Sequence, residues 1–346
     1  MKLQAMSQQR ESPQKARRLR GVFLPVAVGA LALAAALSSS CSGGDGAASK
    51  GQEAGVPLHQ AVERITHIHG LAVDPFNPEL LWASSHNGLL TYSPSQGWVA
   101  ITGGMFDLMG LNLHPKQKGV IYASGHPGIR GRNTYPDRNP LGLQVSRDGG
   151  QSWTSRSLVG EGDLHILAVS PAAPSLLYAF NGAGPVVLRS LDEGRTWEVL
   201  EAASRLRFLG EGHGLAPHPT ERSTVLAATG EGLRISNDAG FSWRPVEGQL
   251  ANIPVTAVAY HPKNPQLLFA YAPPPGQGLL RSEDGGRTWS PLGLTQEREV
   301  VLYIAPHPED PARLYVATTG LDVLYSQDGG RFWKPLMKEG RDATAG

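Results

Sequence analysis

The sequence predicts an all-β fold built from six copies of a four-stranded antiparallel unit. Three observations lead there. Glycine and proline are abundant (42 and 27 of 346 residues) while charged residues are sparse at 18%, a composition of short strands joined by tight turns. A short box recurs as SRDGGQSW (146–153), SLDEGRTW (190–197), SNDAGFSW (236–243), SEDGGRTW (282–289) and SQDGGRFW (326–333), with starts 44, 46, 46 and 44 residues apart. Ahead of the boxes the chain reads strand, Pro turn, strand, Gly turn, strand, as in GLAVDPFNPELLWASSHNGLLTYS (70–93) and PHPEDPARLYVATTGLDVLYS (306–326). A period of this size marks a solenoid, propeller or array. Four short strands per repeat, lettered A to D, make a blade, so the expected architecture is a six-bladed β-propeller.

The elements follow in order. Residues 1–20 carry Lys2, Arg10, Lys15, Arg17, Arg18 and Arg20 against a single acid, Glu11; an apolar run fills 21–37, and SSSC ends at Cys41, the chain's one cysteine. A basic front and an apolar core of this length read as a signal peptide, expected over 1–40. One cysteine excludes an intrachain disulfide. The small, polar residues 41–61 are expected to be a flexible tether, the propeller to span 62–338, and 339–346 to be a disordered tail. This N-terminal segment resembles a bacterial lipoprotein signal, in which the cysteine is lipidated and becomes the new N-terminus. Ser38 stands where that pattern carries Leu, with Leu37 one step further back. The resemblance implies an exported protein of the cell envelope, lipid-anchored through Cys41 on the membrane's outer face or periplasmic side.

The first blade carries a decayed box, SPSQGW, starting at Ser93, 53 residues before the next one. That longer interval is explained by an insertion, PGIRGRNTYPDRNPLGL (127–143), between strands B and C of blade two. Each box lies between strands C and D, where the chain must reverse. Its carboxylate (Asp148, Asp192, Asp238, Asp284, Asp328) is placed to accept turn amides. Its glycine supplies positive φ, and its Trp is expected to pack between sheets. A feature copied this often is architectural, since a catalytic residue is needed once. The boxes resemble the Asp-box (BNR) repeats of sialidases and related propellers. The resemblance covers the whole region after the tether and implies the propeller fold without fixing an activity.

Histidines sort by their place in the repeat. His114, His218, His261 and His307 precede Pro at the A–B turn, where the other two repeats carry Asp74 and Ser170, so all six positions read as turn formers. A second set aligns at the start of strand A: His69, Met109, His165 and His213, preceded at i−2 by His67, Asp107, Asp163 and Glu211. Blades five and six carry Thr256 and Leu302, with Pro254 and Val300, at these positions. Residues i and i+2 share a strand face. His86 and His126 end strand B, which returns to the same end of the disc. These ten side chains are therefore expected to gather at one mouth of the propeller, opposite the boxes. Such a set suits zinc, and with Met109 copper; it also suits acid–base or ligand-binding roles without a metal, or a hydrogen-bonded polar plug. Arg130, Arg132 and Arg138 in the insertion are candidates for holding an anion.

At this level the chain resembles a narrower group, the bacterial exported lipoproteins described as sialidase-like glycosyl hydrolases. The match rests on HIHGLAVDP (67–75), DLMGL (107–111), ASGHP (123–127), LGL (141–143) and GEGDLH (160–165). A true sialidase of this kind needs an Arg-Ile-Pro stretch on its first blade; here Arg64-Ile65 is followed by Thr66 and histidines, so sialidase activity is not expected. With 31 basic and 30 acidic residues there is no electrostatic case for nucleic acid. The expectation is a monomeric, cell-surface module binding a glycan, small molecule or protein at the histidine mouth. The alternatives are a glycan hydrolase or lyase, and a factor that holds a protein partner during assembly. No cofactor is fixed by the sequence.

Overall fold

The computed structural model describes residues 60–62, 64–101, 106–128, 138–209, 212, 214–295 and 299–344. The N-terminal expectations, Cys41 included, lie outside them, as do Arg130, Arg132, Glu211 and His213.

Among the described residues the strands form six antiparallel sheets. Blade one holds β1 (Gln60–Ala61), β2 (Gly70–Val73), β3 (Leu81–Ser85), β4 (Gly88–Ser93) and β5 (Gly97–Ala100). Blade two holds β6 (Phe106–Leu113), β7 (Ile121–Pro127), β8 (Leu143–Ser146) and β9 (Thr154–Ser157). Blade three holds β10 (Leu164–Val169), β11 (Leu177–Asn181), β12 (Val186–Ser190) and β13 (Glu198–Val199). Blade four holds β14 (Leu215–Pro217), β15 (Val225–Thr229), β16 (Gly232–Ser236) and β17 (Arg244–Pro245). Blade five holds β18 (Ala257–His261), β19 (Asn264–Ala272), β20 (Gly278–Ser282) and β21 (Ser290–Pro291). Blade six holds β22 (Val301–Pro306), β23 (Leu314–Thr318), β24 (Val323–Ser326), β25 (Lys334–Lys338) and β26 (Arg341–Asp342). The A strands, β2, β6, β10, β14, β18 and β22, each touch the next and β22 touches β2, which closes the ring around an axis. The molecule is the expected six-bladed β-propeller.

The hydrophobic core is divided into six parts, one at each junction between blades. Leu89 and Trp82 meet Phe106 and Ile121 between blades one and two, for example, and Tyr178 and Val187 meet Leu215 and Val225 between blades three and four. Every box Trp packs into the junction with the preceding blade: Trp153 with blade one, Trp197 with blade two, Trp243 with blade three, Trp289 with blade four and Trp333 with blade five. Trp98, from the decayed box, does the same against blade six.

The recurring turn has one geometry. In blade two Ser146 Oγ donates to Asp148 Oδ1 (2.8 Å) and accepts the Gly150 N–H (2.8 Å), while Asp148 Oδ1 accepts the Ser152 N–H (2.9 Å). The same bonds recur around Asp192, Asp238, Asp284 and Asp328. Two successive residues take positive φ, which is why the second is always Gly; Glu193 and Ala239 manage the first position at φ 59° and 58°.

Pairing runs past the expected boundaries at both ends. Residues 60–61, assigned to the tether, pair with β5 as an outer fifth strand. Residues 341–342, assigned to a disordered tail, pair with β25, and Asp342 Oδ2 reaches the Trp98 N–H (3.4 Å). The Ile65 N–H donates to the Gly340 carbonyl (2.8 Å) and the Trp98 indole to the Leu336 carbonyl (3.0 Å), so the first and last described segments meet at the junction between blades one and six.

Candidate histidine-lined mouth

At the A–B end of the disc, the four His-Pro histidines do the work of Asp74 and Ser170. Nδ1 of His114, His218, His261 and His307 accepts turn N–H groups from Lys116, Thr220 and Glu221, Lys263, and Glu309 and Asp310, at 3.0–3.2 Å. Asp74 Oδ1 accepts those of Phe76 and Asn77, and Ser170 Oγ that of Ala173. All four imidazoles are buried, and burial pushes their pKa values down. They are structural, as their position in the repeat implied.

The other mouth is built by three consecutive blades. His67 and His69 sit on the approach to β2, His86 on the two-residue turn between β3 and β4, Asp107 and Met109 on β6, and His126 on β7 directly across the ladder from Asp107. Asp163 precedes β10, and His165 is its second residue. The β10–β11 register shifts between Leu164 and Ile166, so His165 occupies a bulge. A bulge re-aims a side chain without ending a strand. Gly125, at φ 129°, lets β7 pass close to β6: a Cβ there would lie 2.0 Å from the Asp107 carbonyl oxygen. Gly182 likewise leaves room for the His165 ring.

Two networks result. In the first, the rings of His67, His69 and His86 lie with centroids 4.5, 4.6 and 5.3 Å apart, and His67 Nδ1 is 3.2 Å from His69 Nε2. Asp107 Oδ2 is 2.7 Å from His86 Nδ1, and its Oδ1 is 4.0 Å from His69 Nε2. In the second, Asp163 Oδ2 pairs with His165 Nε2 (2.8 Å), and its Oδ1 lies 3.3 Å from His126 Nε2; His126 Nδ1 meets Asn139 Oδ1 at 2.7 Å. Burial pushes the Asp163 carboxyl up, but hydrogen bonds from His126 and His165 outweigh it and hold the group well below the usual carboxylate range. His126 is shifted upward, chiefly by its bond to Asp163.

The sequence therefore placed His67, His69, His86, Asp107, His126, Asp163 and His165 at one mouth but could not divide them. Met109 is buried beside them, paired with Ser124. Arg138 donates to Ser155 on the outermost strand β9, away from the axis. Asn139 was missed; its signal was the Asn-Pro step closing the long insertion. Beneath the mouth an axial cavity of about 480 Å³ extends from His69 and His165 to a ring of prolines at the far end, one per blade: Pro75, Pro115, Pro171, Pro219, Pro262 and Pro308.

No known family model and no curated protein matches the chain. Solved structures do. A GH74 xyloglucanase from Xanthomonas campestris superposes with TM-score 0.52 at 18% identity, over 82% of this chain and 56% of that one. A GH74 enzyme from Niastella koreensis gives TM-score 0.50 at 17% identity, over 78% and 46%. YCF48 from Cyanidioschyzon merolae gives TM-score 0.48 at 12% identity, over 82% and 89%. The chain spans about half the length of the GH74 enzymes. The two GH74 superpositions show a shared propeller fold, and identities this low carry no residue roles.

Proposed function

We propose that the protein is an exported propeller of the Asp-box type, lipid-anchored through Cys41, that binds a ligand at its histidine-lined mouth. The observation that carries this reading is the convergence of five imidazoles and two carboxylates from three consecutive blades at one end of an axial cavity. Cavities of several hundred Å³ with a few convergent polar groups are the usual form of small-molecule sites. A polar plug would need only enough groups to satisfy one another, and here the rings of His86 and His126 stay partly exposed.

A glycan hydrolase is the second reading, and the GH74 likeness in fold keeps it in view. It is the weaker one. Glycoside hydrolysis of the usual kind sets two carboxyls free to flank one bond, whereas each carboxylate here is engaged by histidines, Asp107 by His86 and Asp163 by His126 and His165. The test is a thermal-shift screen of the exported protein against oligosaccharides, sugar acids and short peptides. A stabilising ligand whose effect disappears in His126→Ala supports the reading. Stabilisation that survives both His126→Ala and His165→Ala, or no stabilisation by any class, overturns it.

A further inference from the structure

Within that mouth, we propose that His67, His69 and His86 form a mononuclear centre for a divalent transition metal of the zinc type, with Asp107 as the carboxylate that orients His86. The inference rests on the reading of this mouth as the functional end, but on different atoms from the His126–Asp163–His165 group.

Geometry supports the ligand set. One ring nitrogen from each histidine can be chosen so that all three lie within 4.8 Å of one another. The His67 Nδ1 to His69 Nε2 distance is 3.2 Å. Two nitrogens each 2.0–2.1 Å from a tetrahedral ion are roughly 3.3 Å apart.

Tautomer chemistry supports it further. Asp107 Oδ2 sits 2.7 Å from His86 Nδ1. A carboxylate there fixes the proton on Nδ1 and leaves the Nε2 lone pair for an ion. This is the carboxylate–histidine–metal arrangement in which an outer partner sets ring orientation and raises ligand basicity. Asp107 Oδ1 is buried without a hydrogen bond. A buried carboxylate oxygen in that condition is costly unless positive charge lies nearby, and an ion among the three imidazoles supplies it.

Three imidazoles and no thiolate select a borderline divalent ion, zinc or its cobalt, nickel and copper(II) surrogates, over calcium or magnesium. His69 is 2% exposed and anchors the set from below, while the His86 side chain is 42% exposed. The fourth position therefore faces the mouth, where an anionic or carbonyl oxygen of a ligand, or water, completes the coordination.

The experiment is cobalt(II) titration of the metal-stripped, exported protein, followed by visible absorption and by competition with zinc. One equivalent should bind, with the intense visible band of a tetrahedral cobalt site, and zinc should displace it. His69→Ala should abolish binding. His86→Ala should too, and because that ring is exposed, this variant separates lost coordination from lost folding. Asp107→Asn should weaken binding by about 10–100-fold, while His126→Ala and His165→Ala should keep wild-type affinity. Absence of a tetrahedral band, or loss of binding in His126→Ala equal to that in His86→Ala, overturns the assignment. If the metal fails to bind while an organic ligand is still lost in His126→Ala, the metal centre is wrong and the ligand-binding reading stands.

Discussion

A single nitrogen atom explains why four repeats spend a histidine on a turn. Nδ1 of His114, His218, His261 and His307 accepts backbone N–H groups only while it is unprotonated. Burial lowers each of these pKa values, so the unfolded chain takes up protons first as pH falls. The stability these groups contribute is complete above the unfolded value of about 6.5 and is lost as pH falls below it. Denaturant midpoints should therefore decline between neutrality and pH about 5, ahead of any carboxylate titration. Blade one already uses Asp74 in this place, and changing His218 and His261 to Asp should flatten that decline; an unchanged slope would show that the turns do not carry it. At the opposite mouth, Gly125 is the comparable single-residue constraint. Gly125→Ala puts a Cβ against the Asp107 carbonyl at φ 129°, and should cost about 1–3 kcal/mol by chemical denaturation while disturbing the Asp107–His126 pairing.

At the level of the turn and the strand, the sequence was legible wherever the repeat wrote the same instruction several times. Ser, Asp, Gly and Trp recur because each has one task in the C–D reversal: Ser146 bridges Asp148 to the Gly150 amide, and Trp153 fills the gap to blade one. Asp238→Ala should cost about 1–3 kcal/mol in a urea melt through the lost acceptor for Ser236 and Ser242; Asp238→Asn, which keeps one acceptor oxygen, should cost less. The candidate site was only half legible. Alignment on strand A placed His69, Asp107, His165 and their neighbours at one end, because the period of two along a strand fixes faces. It could not show that Asp107 turns to His86 and not to His126, its cross-strand partner, since that depends on how closely blades one and two approach. Nor could it find Asn139, which lies 13 residues from His126 in an insertion that no other repeat shares. The propeller's boundaries, expected at 62 and 338, fell short of β1 and β26 because a two-residue strand has no periodicity to read.

For the molecule as a whole, acid stability should have a second stage. Asp148, Asp192, Asp238, Asp284 and Asp328 are all depressed by their turn hydrogen bonds, Asp284 to about 2, against the opposing effect of burial where they are covered. Depressed carboxyls stabilise fully above the unfolded value of about 3.9 and lose that contribution as pH falls through their folded values. Unfolding monitored by tryptophan fluorescence should steepen below pH about 4, since each box Trp reports its own junction. The proposed export and anchoring make a separate prediction. Cys41→Ala should release the protein in soluble form or leave its precursor uncleaved, and membrane fractionation with N-terminal sequencing of the wild type checks it; a mature protein beginning at another, unmodified residue would remove the anchor.

The ring is fastened without a shared strand. Every blade is completed by its own stretch of chain, and blades one and six meet through the Ile65–Gly340 and Trp98–Leu336 bonds over a packed junction like the other five. Among the described residues the propeller is thus a strip bent until its first and last blades touch, and the seam differs from the other junctions in carrying the outer strands β1 and β26. Joining residue 344 to residue 60 through a short linker and opening the chain within 158–163 moves the seam to the join between blades two and three. That permuted protein should fold to the same disc. Pulling on the N-terminal side of residue 60, by contrast, would load first the two residues of β1 at the rim, which pair with β5 alone, so blade one should be the first to peel, like tape lifted at its corner.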